Sequence, residues 1–286
     1  MKYMEEQNSG QIVLITLLVL AIATTVALSL ISRTTNDASI TRDVEESARA
    51  FSAAEAGIEQ ALLSASSTNG TITLSAGVSY NVNVSTMSGA LGLYELPKKT
   101  LQGNTETIWL VDHDQSNGNL LETPTYTSGS ISFCWSKKSE TEIPAIVATL
   151  LYKKAGIYKT AKATFDPDTV SRTTANNFAG TYTVGGCGGT TGTDYRATVT
   201  FATMNPTEVI NPAVDTLIAL RLRPVYYDSK LVVDAGATIL PAQGYIIEST
   251  GTTVGGTNRK IIVYQQYRSP STIFDAALYS EGVLRK

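Results

Sequence analysis

The stretch that decides the fold is residues 12–31, IVLITLLVLAIATTVALSLI. It contains no charged side chain, and Ile, Val, Leu and Ala dominate it. A helix of about 20 residues, rising about 1.5 Å per residue, spans about 30 Å, the hydrocarbon thickness of a bilayer. Its Thr and Ser hydroxyls can bond back to the helix backbone. The segment therefore predicts a helix that enters a membrane. It is longer than the apolar core of a secretory signal peptide, which is roughly 7–15 residues.

The segment after it, residues 37–64, predicts an amphipathic second half of the same helix. It has no Pro and a single Gly, at position 57. One apolar stripe recurs in it at helical spacing: Val44, Ala48, Phe51, Ile58 and Leu62. We expect Phe51, Ile58 and Leu62 to join the helix to a globular head. A continuous helix over residues 11–66 would be about 84 Å long, although Asn36 and Asp37 could cap a new helix and leave a break open there.

Beyond Ser66 the pattern changes to short apolar runs separated by turn residues, with no long helical period. Alternation of apolar and polar residues predicts strands at 72–74, 78–84, 107–111, 130–135, 145–152, 157–165, 180–184, 195–201, 217–223, 230–233, 244–249 and 259–266. Residues 153–156 (KKAG) are typical of a hairpin connection. We therefore expect an α+β chain: a long N-terminal helix with an apolar and then an amphipathic half, followed by a predominantly β head over residues 67–286. We expect the head to form a sandwich or two small sheets. A domain boundary within it, near residues 166–177, is left open.

Composition excludes several function classes. The net charge is −3, with 22 basic against 25 acidic side chains, which disfavours a nucleic-acid surface built on bulk basicity. One histidine and two cysteines exclude a multi-Cys/His metal site and a small disulfide scaffold. No nucleophile–base pair or paired carboxylates stand out, so we expect neither an enzyme nor a cofactor.

Two local features invite a chemical interpretation. The loop VDHDQSNGN is loosely similar to a calcium loop, with Asp112, Asp114 and Asn117 as weak metal candidates. Its Gly falls one place late and Thr123 stands where a bidentate Glu is needed, so a polar turn is favoured, with His113 an exposed loop residue.

The two cysteines, Cys134 on a predicted strand and Cys187 in a Gly-rich loop, form one disulfide most economically if the protein is exported. Two free buried thiols remain the alternative. The Gly-rich run is not a phosphate loop, because no Lys-Ser/Thr follows it at the needed spacing.

Two segments resemble segments of a known protein family: residues 9–18 (SGQIVLITLL) and residues 48–58 (ARAFSAAEAGI). The first resembles the start of a type IV pilin-like precursor. The second is similar to a stretch of PilX-type minor pilins and of the K-type pseudopilins of type II secretion. Residues 271–282 weakly resemble the closing segment of some PilX-like proteins.

The resemblance implies that residues 1–10 are a leader peptide, cut by a prepilin peptidase after Gly10. Gln11 would then be the mature N-terminus, open to methylation. Packing against other pilin-like subunits would involve Leu14, Leu17, Leu18 and Val19. Major pilins carry Glu at the fifth mature position, where this chain has Ile15. That departure resembles minor subunits and a position at the fibre tip.

The resemblance therefore implies a minor type IV pilin-like subunit that takes part in pilus assembly, priming or tip function, with adhesion through a head whose ligand the sequence does not identify. The helix would hold it in the cytoplasmic membrane with the head outside, before it enters an extracellular fibre. The basic residues flanking the apolar segment do not support this orientation, which depends on the exported character of the head. The alternatives are a K-type pseudopilin and a signal-anchored surface domain that never polymerises.

Overall fold

A long N-terminal helix is followed by a chain of β-strands in the computed structural model, which describes residues 9–64, 66–68, 70–87, 92–114, 117–168, 171–172, 176–188 and 192–272. The expected α+β layout, a long apolar helix and then a mostly β region, is confirmed. The chain divides into two compact units: Met1–Asn83 with Glu248–Ile261, and Val84–Ile247 with Ile262–Lys286. The expected head, residues 67–286, thus contributes to both units.

Helix α1 runs without interruption over Ser9–Ser64, 56 residues or about 84 Å. The break left open at Asn36 and Asp37 does not occur, because the backbone there continues in helical geometry. Good helix formers such as Ala, Leu and Glu fill the segment, and no proline interrupts it. After the helix, Thr68 bonds to the backbone of Val82 on the second strand.

The structure contains thirteen strands within the described residues. They are β1 (Ile72–Ser75), β2 (Val78–Thr86), β3 (Leu93–Glu95), β4 (Glu106–Trp109), β5 (Ser130–Trp135), β6 (Ala145–Lys154), β7 (Ile157–Phe165), β8 (Thr183–Val184), β9 (Tyr195–Thr200), β10 (Thr216–Val225), β11 (Leu231–Asp234), β12 (Gly244–Thr253) and β13 (Asn258–Gln266). A short helix, α2 (Phe201–Met204), follows β9. The strand orders of the three sheets are β1-β2-β12-β13, β4-β10-β6-β7 and β3-β11-β5-β9-β8.

The second unit is a β-sandwich. One hydrophobic core draws inward-facing residues from both of its sheets, such as Phe133 on β5, Leu150 on β6 and Leu220 on β10. Trp135 is fully buried in it, and its indole nitrogen donates to the carbonyl of Pro144 at 3.0 Å. Strand pairing within both sheets is antiparallel. This arrangement buries one face of β9, whose residues alternate between buried and exposed, whereas β5 and β10 are buried along nearly their whole length.

The β6–β7 hairpin turns at Ala155 and Gly156, where the sequence predicted a connection. Both residues have positive φ, 50° and 80°, as a two-residue type I′ turn requires. Pairing continues up to Lys154 opposite Ile157.

The segment over residues 166–177, considered above as a boundary, is tied to the sandwich. The carboxylate of Asp166 is fully buried and accepts from Arg172 at 2.9 Å and from Asn176 at 2.6 Å. The guanidinium of Arg172 also lies over the ring of Tyr226 and donates to the carbonyl of Ile143. This buried ion pair and its additional partners hold the described residues of the segment, 166–168, 171–172 and 176–177, on the sandwich.

A disulfide joins Cys134 on β5 to Cys187 in the Gly-rich loop between β8 and β9. Cys134 is fully buried, and the pair packs with Val232 on β11. The bond closes a loop with a sequence separation of 53 residues. In the chain-entropy model such a loop contributes about 4 kcal/mol, by restricting the unfolded chain.

Replacing both cysteines, Cys134→Ser with Cys187→Ser, should therefore lower the thermal unfolding midpoint of the full-length chain by about 10 °C. Circular dichroism during heating measures this midpoint. A reducing agent should produce a similar shift in the unaltered chain and none in the double variant. Equal midpoints for both chains without reductant would contradict the prediction.

Candidate functional site in the N-terminal helix

The first half of α1 presents apolar side chains that the described residues leave uncovered. Leu14, Leu17, Leu18 and Val19, predicted to pack against other subunits, are each more than half exposed. This helix is long and apolar enough to cross a membrane, the one such helix among the described residues. Packing of these four residues against other chains stays a prediction.

Three threonine hydroxyls in this half are satisfied within the helix. Thr16 donates to the carbonyl of Ile12 at 3.1 Å, Thr24 to that of Leu20 at 3.0 Å, and Thr25 to that of Ile22 at 2.8 Å. A hydroxyl bonded to its own helix costs less to transfer into an apolar phase. The polar residues in the apolar segment are therefore compatible with insertion.

The predicted processing residues lie in the first turns of α1. Gly10 is helical, as is Gln11, whose side chain is exposed. Residues 1–8 of the expected leader lie outside the described residues, as does most of the closing segment noted above, residues 273–282. Cleavage after Gly10 stays a prediction.

The second half of α1 packs on a sheet through small residues. Its buried face consists of Ala50, Ala53, Ala54, Gly57, Ile58 and Ala61. A Cβ at Gly57 would lie 2.8 Å from side-chain carbons of both Tyr80 and Val82 on β2. A Cβ at Gly251 on β12 would lie 2.7 Å from the backbone nitrogen of Ala54. Helix and sheet backbones thus approach too closely for larger side chains.

This packing corrects part of the predicted interface. Ile58 is buried as expected, but Phe51 is 47% exposed and Leu62 is 45% exposed. The predicted stripe therefore does not mark the face on the sheet. The physical reason is the close approach at Gly57 and Gly251, which selects small residues and turns the large ones away.

Polar contacts border the close interface. Glu46 accepts from Thr253 and Thr257, each at 3.3 Å, and pairs with Arg42 along the helix at 3.4 Å. Arg259 donates to the hydroxyl of Ser47 at 2.8 Å, and the Tyr80 hydroxyl bonds to Gln60. These side chains orient the helix on the sheet while the small residues set the distance.

The loop considered for a metal is a closed polar turn. Asn117 donates to the Asp114 carboxylate at 2.8 Å, and Thr125 donates to the Asp112 carboxylate at 3.2 Å. Among the described residues, no group of three or more His, Cys, Asp or Glu side chains is placed to hold a metal ion. Residues 115–116 of the loop lie outside the described residues.

His113 was expected to be exposed, but it is only 8% exposed. Its ring stacks on Tyr267 with the centroids 3.9 Å apart and meets the edge of Trp109 at 4.7 Å. Burial lowers the pKa of the imidazole, and the nearby Asp112 carboxylate only partly opposes this. Burial also raises the pKa of the Tyr267 hydroxyl. Packing with a residue so distant in sequence leaves no local pattern from which it could be predicted.

Comparison with known proteins found no match: no protein-family model, no curated protein and no solved structure matches this chain.

Replacing Gly57 by Ala should reduce the stability of the helix–sheet packing. In an ordinary helix this change stabilises by up to about 1 kcal/mol, whereas here overpacking should cost about 2 kcal/mol. Denaturant unfolding of the full-length chain measures the difference. Gly129→Ala is the control, because Gly129 has ordinary φ and open space around its Cα. A stabilised Gly57→Ala variant would contradict the close approach.

His113 should make the folded chain less stable at acid pH. Because its pKa is lower in the folded chain, the unfolded chain binds a proton first as the pH falls below about 6.5. The free energy of unfolding therefore has its full value above that pH. Below it, the free energy of unfolding decreases by at most about 1.4 kcal/mol per pH unit. Glu106, whose carboxyl pKa is raised by burial, acts in the opposite direction.

Comparison with the His113→Phe variant isolates this effect, since a phenyl ring can stack but does not titrate. Unfolding free energies measured between pH 5 and pH 8 should diverge only on the acid side. Parallel profiles for the two chains would show that His113 titrates equally in both states.

Proposed function

We propose that this chain is a minor subunit of a type IV pilus-like surface fibre. The observation that carries the proposal is one continuous helix with two environments. Residues 12–31 expose apolar side chains over a length that suits a bilayer, and residues 50–61 pack on a sheet of the same chain. A helix of this design can remain in the membrane before assembly and pack among similar helices afterwards.

The exposed apolar surface continues beyond the membrane-length segment. Val44, Phe51 and Leu62 are 64%, 47% and 45% exposed, and the helical spacing of Phe51 and Leu62 places them beside the buried Ile58. Large exposed apolar side chains in a row favour contact with another protein. Neighbouring pilin-like subunits are the partners that fit such a helical surface.

Ile15 supports a minor role. The segment from Gln11 to Ile31 carries no carboxylate that could neutralise the buried terminal ammonium of a neighbouring subunit. A bulk shaft subunit would leave that charge unpaired in an apolar core, which is costly. A subunit at the tip, with none above it, does not need the carboxylate. The proposed role is therefore to prime, cap or modify the fibre, with adhesion through the β-rich head.

Within this proposal, a prepilin peptidase removes residues 1–10. The mature chain then stands in the cytoplasmic membrane with its head outside, before it joins the fibre. A head held by a disulfide suits an oxidising exterior.

The mature N-terminus tests the proposal. Mass spectrometry on membrane and sheared-fibre fractions should give a chain that begins at Gln11 in cells with a prepilin peptidase. Cells without the peptidase should keep the precursor, and so should the Gly10→Val variant. An intact Met1 in all fractions, or cleavage beyond Ile31, would favour the signal-anchored surface domain instead. A chain that begins at Gln11 but is recovered only with secretion components would favour the K-type pseudopilin.

A further inference from the structure

A lysine lies on the core-facing side of the sandwich sheet, close to the β6–β7 hairpin. Ala161 and Phe165 of β7 belong to the hydrophobic core. Strand alternation therefore places Lys159 on the same face of β7. Lys159 pairs across the strands with Tyr152 of β6, whose ring is part of that core. The Lys159 side chain is 36% exposed, so much of it is withdrawn from water.

The connection between α2 and β10 brings a carboxylate and an amide to this lysine. Nζ of Lys159 donates to the two carboxylate oxygens of Glu208 at 2.8 and 3.0 Å. Nδ2 of Asn205 lies 3.4 Å from one of these oxygens, Oε1, and donates to the hydroxyl of Tyr152 at 2.9 Å. The Tyr152 hydroxyl in turn donates to Oε1 of Glu208. One carboxylate oxygen thus contacts both the lysine amine and the asparagine amide.

The carbonyl oxygen of the Asn205 side chain is held by two donors of one residue. Oδ1 accepts from the backbone N–H of Thr207 at 3.0 Å and from its hydroxyl at 2.8 Å. Two donors aimed at a carbonyl oxygen stabilise the negative charge that develops when a nucleophile attacks the carbon. An uncharged lysine amine is such a nucleophile. The cluster therefore combines a nucleophile, a proton carrier and a polarised carbonyl.

We propose that Lys159 and Asn205 become joined by an amide bond between their side chains, with Glu208 as the proton carrier. Glu208 accepts a proton from the Lys159 ammonium, and the freed amine attacks Cγ of Asn205. The bond from Cγ to Nδ2 then breaks. The leaving nitrogen keeps its own two protons and takes two from Lys159, so one ammonium ion is released and no other reactant is needed.

The charged pair is the resting state of this cluster. Its hydrogen bond raises the pKa of Lys159 and lowers the pKa of Glu208. Transfer of the proton is therefore unfavourable and the reaction is slow. Each chain needs to react only once, however, and the groups are already held together within the fold. The amide bond would fasten β7 to the connection before β10. This proposal does not depend on the fibre-subunit function.

Peptide mapping of the full-length chain in detergent tests the bond directly. Tryptic digestion and tandem mass spectrometry should give one branched peptide that contains Lys159 and Asn205 and is lighter by one ammonia than its two parts. Trypsin should leave the bond after Lys159 uncut, because an acylated lysine carries no charge. Freshly purified protein and protein incubated for several days are both digested. Separate unmodified peptides in both samples would overturn the proposal.

Variants show whether the bond needs the residues assigned to it. Lys159→Arg keeps the charge but offers no amine, so the branched peptide should disappear. Lys162→Arg is the matched control on the exposed face of the same strand and should keep it. Loss of the branched peptide in both variants would overturn the assignment to Lys159.

Glu208→Gln tests the proton carrier. Because proton transfer by a positioned side chain contributes about a hundredfold or more, the rate at which the branched peptide forms should decrease by about that factor. An unchanged rate would overturn the role of Glu208. Circular dichroism checks that this variant folds. Should it not fold, the unaltered chain and Lys159→Arg still decide whether the bond forms.

Discussion

The close approach of two backbones, at Gly57 of α1 and Gly251 of β12, is the constraint on which the arrangement of the helix depends. Neither position has room for a Cβ, and four alanines and Ile58 form the rest of the buried helix face. The alanine-and-glycine interface fixes which side of the helix faces the sheet. It therefore also fixes which side remains for other partners.

One consequence concerns the large apolar residues of α1. Phe51 and Leu62 lie at the border of the buried helix face, and about half of each side chain stays exposed. In a soluble protein such a surface would be an aggregation hazard. In the proposed function, lipid covers this surface before assembly, and the helices of neighbouring subunits cover it afterwards. The close packing of helix on sheet therefore also leaves exposed the apolar surface on which the proposed function depends.

Hydrophobic periodicity predicted much of the fold and little of its detail. Residues 12–31 and the alternating strands could be predicted because burial and local sequence agree there, as in β9, where buried and exposed residues alternate. The helix–sheet interface could not, because periodicity gives weight to large apolar residues while a close interface selects small ones, so Phe51 and Leu62 were predicted where alanines make the contact. His113 was missed because its burial depends on Tyr267, far away in sequence. Strand β3, with three residues, is too short to produce a pattern.

The two units differ in how much of their own apolar surface they bury. The sandwich has a continuous core, a disulfide that fastens its Gly-rich loop, and a buried Asp166–Arg172 pair in the connection between β7 and β8. Nothing comparable covers residues 12–31 within the described part of the chain, although their apolar surface is larger than a stable soluble protein would leave in water. The sandwich encloses its apolar core, so the exposed apolar surface of residues 12–31 is not a general property of this sequence. The uncovered half of α1 is the surface that, in the proposed function, contacts first lipid and then the helices of neighbouring subunits.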